Sequence, residues 1–267
     1  MPFVFPKIFD HGSSNPIVAR LFMQTLEILK HCNIAEDMKQ RVVELYRGSL
    51  MGKLLRCWEI KEQLQSQLSA AMASTPTPVT FPYILRLEEE CHNFLYETKN
   101  YIRDLLKVFN LLYGTNFKEA SEFSGPKKGN KSLVKFATES FGADDSRTKF
   151  FEAAVNCVEH FVYLRNAVEH PGGHSGELMI KNITWDANGK ATEPVWVRVK
   201  DGVPLATPSS ICSDMNSAIN HFLHLGEVVL VSWAAKHLRF PDLMRVVLIP
   251  EENRDPKCPM NFEVTVR

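Results

Sequence analysis

The chain has 267 residues, 45% of them hydrophobic, and its 31 basic side chains are balanced by 31 acidic ones. That length supports one large domain or two small ones with a sizeable core. Charge neutrality excludes a protein that coats nucleic acid by bulk electrostatics, and leaves room for a local basic groove.

The opening MPFVFPKIFDHG has two prolines, no basic start and no long apolar run, so it does not read as a signal peptide. From about residue 15 to 74 the pattern is helical with breaks. Asn15-Pro16 starts it, and Cys32-Asn33, Gly48 and Gly52 mark expected ends or bends. The Pro-rich STPTPVTFP at 74–82 cannot continue a helix and is the clearest boundary in the chain. The spacing of Leu87, Cys91, Phe94, Leu95, Tyr101, Ile102, Leu105, Val108, Phe109 and Leu112 predicts a helix over 83–113, closed by Gly114. After a polar loop with Gly125-Pro126, a short helix is expected over 131–140. A longer one follows over 145–169, started by Gly-Ala-Asp-Asp-Ser.

The period then changes to two. Val195, Val197 and Val199 alternate with Trp196, Arg198 and Lys200, and turn signals stand at 186–189 and 201–202. A small antiparallel hairpin or meander is expected over 177–206. A helix returns over 213–237, and MRVVLI and FEVTV in the tail read as two more strands, able to extend the hairpin sheet. The expected organisation is a helical extension over 1–75, a helical bundle over 83–238 carrying the β insertion, and a β tail over 240–267. The fold class is mainly α.

Six cysteines, at 32, 57, 91, 157, 212 and 258, are widely scattered, and four fall within helix-like apolar patterns. They read as buried thiols of a reduced, intracellular chain. No apolar run approaches the ~20 residues of a membrane span. A soluble, cytoplasmic protein is expected.

The candidate site is YLRNAVEHPGG at 163–173. Arg165 continues the apolar stripe of Phe151, Val158, Phe161 and Val168. A charge there needs a partner, a groove or a subunit interface, or it snorkels to water. Pro171 disfavours helical geometry at His170, and Gly172-Gly173 prevents the helix from recovering, so His170 is expected at the helix end. Five residues at ~100° each put His170 well off the Arg165 face of a straight helix. Convergence of the two on one ligand requires the helix to end here, or a second chain to supply one of them.

Arg165-Asn166-x-x-x-His170 resembles the motif of HEPN domains: an Arg, a polar residue directly after it, and a His a few positions on, near the end of a long helix in an all-α bundle. The resemblance covers roughly 83–238 and implies an antiparallel bundle of four or five helices. It also implies a metal-independent endoribonuclease, of the kind found among toxins and defence effectors, acting on RNA as a homodimer with facing motifs. In that chemistry the RNA 2′-hydroxyl is the nucleophile. His170 moves the proton, Arg165 stabilises the phosphate charge, and Asn166 orients His170 or binds phosphate. A non-catalytic dimerising or nucleotide- and RNA-binding module is the alternative within the same family. HEPN toxins controlled by nucleotidyltransferase antitoxins carry a modified Tyr two residues after the His. Here Gly172 stands in its place, which puts that control in doubt and leaves any antitoxin partner unidentified.

Lys99, Arg103 and Lys107 form an i, i+4, i+8 basic stripe, continued by Tyr96 and His92, and are candidates for tracking a phosphate backbone. A solvated helix face is the other reading. Asn93, Glu97, Asn100 and Asp104 make a polar stripe on another face, and His174 is a further candidate for substrate binding. His221-x-x-His224, with Cys212 nearby, has a spacing seen in zinc sites but no third ligand that can be named. No metal or cofactor is expected, and no Walker loop, dinucleotide glycine pattern or Gly-x-Ser-x-Gly is present.

Overall fold

Asn15 caps the first helix: its side chain accepts a hydrogen bond from Ile17 N at 2.9 Å, and Pro16 follows where a missing N–H costs nothing. The computed structural model describes residues 11–73, 82–124, 132–186 and 191–267. The Pro-rich boundary at 74–81, Gly125-Pro126, Lys131 and positions 187–189 of the expected turn lie outside the described residues. The described chain is mainly helical, with three small antiparallel sheets.

Helix α1 spans 16–30, with a π-helical stretch over Ala19–Met23. Helix α2 spans 36–73 and is π-helical over Leu45–Met51. The sequence marks Gly48 and Gly52 as ends or bends, yet α2 runs through both. Tyr46, Leu50 and Met51 beside them are fully buried, and that burial outweighs the roughly 1 kcal/mol each glycine costs a helix. Helix α3 is Leu87–Tyr113, α4 Leu133–Phe141, α5 Ser146–Glu169 and α6 Ile211–His237. The expected start of α3 at residue 83 moves to 87. Arg86 takes a left-handed φ of 57°, and the Asn182 side chain holds the backbone of Ile84, its Oδ1 accepting from Ile84 N at 3.0 Å and its Nδ2 donating to Ile84 O at 2.8 Å. Gly114 closes α3 at a φ of 68°.

By compactness the chain falls into two units. The first takes in the chain up to Gly52, Val108–Thr115 and Leu223–Arg267. Its centre is Glu227, whose side chain has no solvent exposure. Arg20 grips both carboxylate oxygens, one through Nε at 2.9 Å, and Gln24 and Asn261 donate to it at 3.2 and 3.1 Å. Gln24 Oε1 in turn accepts the backbone N–H groups of Asn261 and Phe262, both at 2.8 Å. The two tail strands, β7 (Met244–Leu248) and β8 (Phe262–Val266), pair with each other from Met244↔Val266 to Leu248↔Phe262 and form a sheet of their own.

The second unit is Lys53–Lys107 with Asn116–Phe222. Phe161 on α5 meets Phe94, Trp196 and Phe222, with ring centroids 6.2, 6.4 and 5.8 Å away. The β insertion is a four-stranded sheet built on β4 (Val195–Lys200), which pairs with β1 (Glu177–Lys181), β5 (Val203–Pro204) and β6 (Ser209–Ser210). A separate pair joins β2 (Thr184–Trp185) to β3 (Ala191–Thr192). Trp196 is buried and its Nε1 donates to Asp214 at 2.7 Å, while Ser209 donates to the same carboxylate at 2.6 Å. Those two bonds tie the sheet to the first turn of α6 and hold β4 in place beside α5.

Candidate functional site

Helix α5 ends as its sequence requires. Asp145 caps the start, accepting from Arg147 N, and Glu169 is the last helical residue. His170 leaves the helix at φ −134° and ψ 65°, while its N–H still donates to Asn166 O at 2.9 Å. The chain then turns back on itself. Gly173 N donates to His170 O at 3.0 Å, and Gly172 N donates to Gly176 O at 3.2 Å. Gly176 has a φ of 74°, and a Cβ there would meet the carbonyl oxygen of Val199 at 2.2 Å. Only glycine fits that approach, which seats the turn directly on β4.

The turn and α5 enclose a hollow of about 360 Å³. Glu159, Tyr163 and Asn166 line it from α5, His170 and His174 from the turn, and Ser121 and Ser124 from the loop after α3. Residues 159, 163, 166 and 170 follow one another at four- and three-residue steps, a single stripe of α5. His170 and His174 are both exposed, and both line the same space. Three expected site residues, Asn166, His170 and His174, are thus brought together.

Arg165 is not brought to them. It lies on another face of α5 with its side chain 11% exposed, and Nη2 pairs with Glu169 at 2.8 Å. The guanidinium sits 5.3 Å from the ring centroid of Tyr96, and its Nε is buried without a hydrogen bond. Lys99 donates to Glu169 and, at 3.2 Å, to Asn166 Oδ1. Burial by itself raises the Glu169 carboxyl. The Lys99 hydrogen bond and the charges of Arg165, Lys99 and His170 hold it below its ordinary value. Although the helix ends where convergence demanded, Arg165 and His170 of one chain do not share the hollow.

The basic stripe is matched by acids along its length. Lys99 faces Glu169, Arg103 stands 4.0 Å from Glu119, and Lys107 pairs with Asp104 at 2.7 Å. Asp104 also holds Lys53 at 2.7 Å. Only the Lys107–Asp104 pair lies within α3; Glu169 comes from the end of α5, Glu119 from the segment after α3 and Lys53 from α2. None of Asn93, Glu97, Asn100 or Asp104 lines the hollow.

One cation packed against the wall of the hollow, though not itself among the residues that line it, was not singled out in the sequence. Arg198 on β4 places its guanidinium 5.0 Å over the ring of Tyr163, and its Nη1 reaches Ser175 O at 3.4 Å. Tyr163 and Ser175 both line the hollow. Burial pulls Arg198 below the usual guanidinium range, with Tyr163 opposing the shift. Among the described residues no carboxylate pairs with it. Alternation along β4 groups Arg198 with Trp196 and Lys200 as outward residues. In the folded chain Trp196, Val197 and Val199 are all buried, so period two does not report which face of this strand is covered.

Among the described residues no three metal-ligating side chains converge. His224 Nδ1 stands 3.5 Å from the Glu227 carboxylate, and His221 is exposed. All six cysteines are free thiols, and burial pushes Cys57 up to about 12. No helix among the described residues is long and apolar enough to cross a membrane. No family model matches the chain, and neither a curated protein nor a solved structure matches it significantly.

Proposed function

We propose that the chain is a HEPN-like, metal-independent endoribonuclease acting on RNA as a homodimer, with the hollow at the end of α5 as its site. The observation that supports this reading is that His170 and His174 flank one turn and line one space with Asn166. An imidazole has an ordinary pKa near 6.5, so at neutral pH it serves either as proton acceptor or as donor. In the reaction one imidazole takes the proton of the RNA 2′-hydroxyl, and the 2′-oxygen attacks the adjacent phosphorus. The bond from phosphorus to the 5′-oxygen breaks, and that oxygen receives a proton from a second, protonated imidazole. The products are a 2′,3′-cyclic phosphate and a 5′-hydroxyl. His170 is the primary proton carrier, and His174 binds substrate and supplies the second proton. Asn166, held by Lys99, orients the phosphate or His170. Arg165 reaches a phosphate only by leaving Glu169, and until then it braces the helix end.

The test is RNA cleavage in the presence of a chelator, wild type against His170→Ala, with the product ends identified. Cleavage to a cyclic phosphate by wild type alone is expected. Equal activity in both, or none in either, removes the assignment. The engagement of Arg165 by Glu169 and Tyr96 favours a second reading, a non-catalytic HEPN-like binding or dimerisation module. It is adopted if neither protein cleaves RNA while both dimerise or bind it.

A further inference from the structure

We propose that Arg198 is the phosphate-binding residue of the hollow, so that the cation serving the histidines of a chain comes from the β insertion of that same chain. The inference rests on the reading of the hollow as a site for RNA, and it names the chemical group of the ligand that is gripped: the phosphodiester anion.

Three observations carry it. The first is position. The guanidinium lies against Tyr163 and the Ser175 carbonyl, and both of those residues line the space that His170 and His174 line. The second is occupancy. Arg165, the motif arginine, already has a carboxylate, whereas Arg198 has a ring face and one distant carbonyl, and no carboxylate among the described residues. A guanidinium carries five N–H donors in a planar fork, so most of its hydrogen-bonding capacity is left for a ligand. A partly buried cation without an anion is costly, and proteins keep such groups chiefly where a ligand supplies the missing charge. The third is how the site is built. Gly176 lets the turn rest on Val199, the neighbour of Arg198, and Trp196 and Ser209 fasten the same strand to Asp214. The turn that carries the two histidines is therefore seated on the strand that carries Arg198, which is the backbone part of a preorganised site.

Glu159 also lines the hollow and opposes an anion. A planar guanidinium fork can still match two phosphate oxygens, which a lone imidazole cannot. The volume, about 360 Å³, falls at the small end of ligand pockets, which run from about 300 to 1,000 Å³. It suits one phosphate with its neighbouring sugar or base, with the rest of the strand outside.

The experiment follows the imidazole resonances of His170 and His174 by NMR while inorganic phosphate, and then a short RNA oligomer, is added. Wild type, R198Q, R198K and R56Q are compared, and the melting temperature of each is recorded. Arg56 is an exposed arginine paired with Glu59, so R56Q controls for loss of one positive charge. Phosphate is expected to shift both histidines in wild type and R56Q. In R198Q the affinity falls about tenfold or more, the scale of a lost charge-assisted hydrogen bond. In R198K it falls less, because the charge remains and the fork is lost. A wild type that binds no phosphate overturns the inference, as does an R198Q that folds and binds like wild type. If phosphate binding depends on Arg198 while RNA is not cut, the nuclease reading falls and the anion site stands. If RNA is cut equally well by R198Q, the inference falls and the nuclease reading stands.

Discussion

Glu227 and Arg198 are both charged groups drawn out of bulk water, and the chain treats them in opposite ways. Glu227 is surrounded by Arg20, Gln24 and Asn261, and Gln24 passes the restraint on to the backbone of Asn261 and Phe262, where β8 begins. Arg198 rests on an aromatic ring with a single weak contact to a carbonyl. A saturated buried carboxylate specifies which segments meet, and it offers nothing to a ligand. An under-satisfied guanidinium packed on a wall residue of the hollow adds little to stability and, as proposed, keeps its donors for an anion. Saturation is thus a physical criterion for separating structural charges from functional ones, and by it Arg165 stands between the two, paired with Glu169 but with its buried Nε left without a hydrogen bond.

The sharpest way to break that contrast is at the proton carrier. His170→Ala is expected to lower RNA cleavage about 10²- to 10⁴-fold with an unchanged melting temperature, read by gel assay and by calorimetry. A matching loss of stability would mean that the hollow is a structural feature. At the other pole, Glu227→Ala leaves Arg20 without its anion and is expected to cost about 3 kcal/mol of unfolding free energy, measured by denaturant titration. Acid should reveal the same carboxylate. Burial alone would raise Glu227, and the bonds from Arg20, His224 and Gln24 hold it below 4.5. The folded state therefore binds fewer protons than the unfolded one around that value. The stabilisation is complete above pH 4.5 and is lost as the pH falls through the lowered pKa, so E227Q should flatten the acid limb of the melting curve. A smaller effect sharpens the comparison. Arg198→Met is expected to change stability by no more than about 1 kcal/mol, or to raise it, because no ion pair is broken. A loss beyond about 2 kcal/mol would place Arg198 among the structural charges. The least effect is expected on the surface of α3, where Arg103→Ala removes an exposed pair with Glu119 and should move stability by about 0.5 kcal/mol or less.

Much of the architecture was legible because it is local. The apolar spacing of α3 and α5, the cap at Asp145, and the stop at Gly114 depend on residues a few positions apart. The glycines of α2 do not end it, because a propensity near 1 kcal/mol yields to the burial of Tyr46, Leu50 and Met51, while the π-helical stretch over Leu45–Met51 falls at Gly48. The tail strands were legible as strands but not in their pairing. Pairing is a choice among partners distant in the chain, and here each tail strand took the other. In the site, His170 and Asn166 stand out by motif, and the stripe of 159, 163, 166 and 170 was there to be counted. Arg198 gave no such signal, since its value comes from what packs over it.

The residues of 163–173 by themselves determined that α5 stops before Pro171 and that His170 stands outside it, because proline and glycine act through the sterics of their own backbone. Which arginine accompanies that histidine was decided only by the tertiary structure. The phase of α5 turns Arg165 toward Tyr96 and Glu169, and the close approach of Gly176 to Val199 seats the turn on β4, whose Arg198 packs on the wall residue Tyr163. Both outcomes depend on contacts between segments far apart in the chain, which local periodicity does not encode.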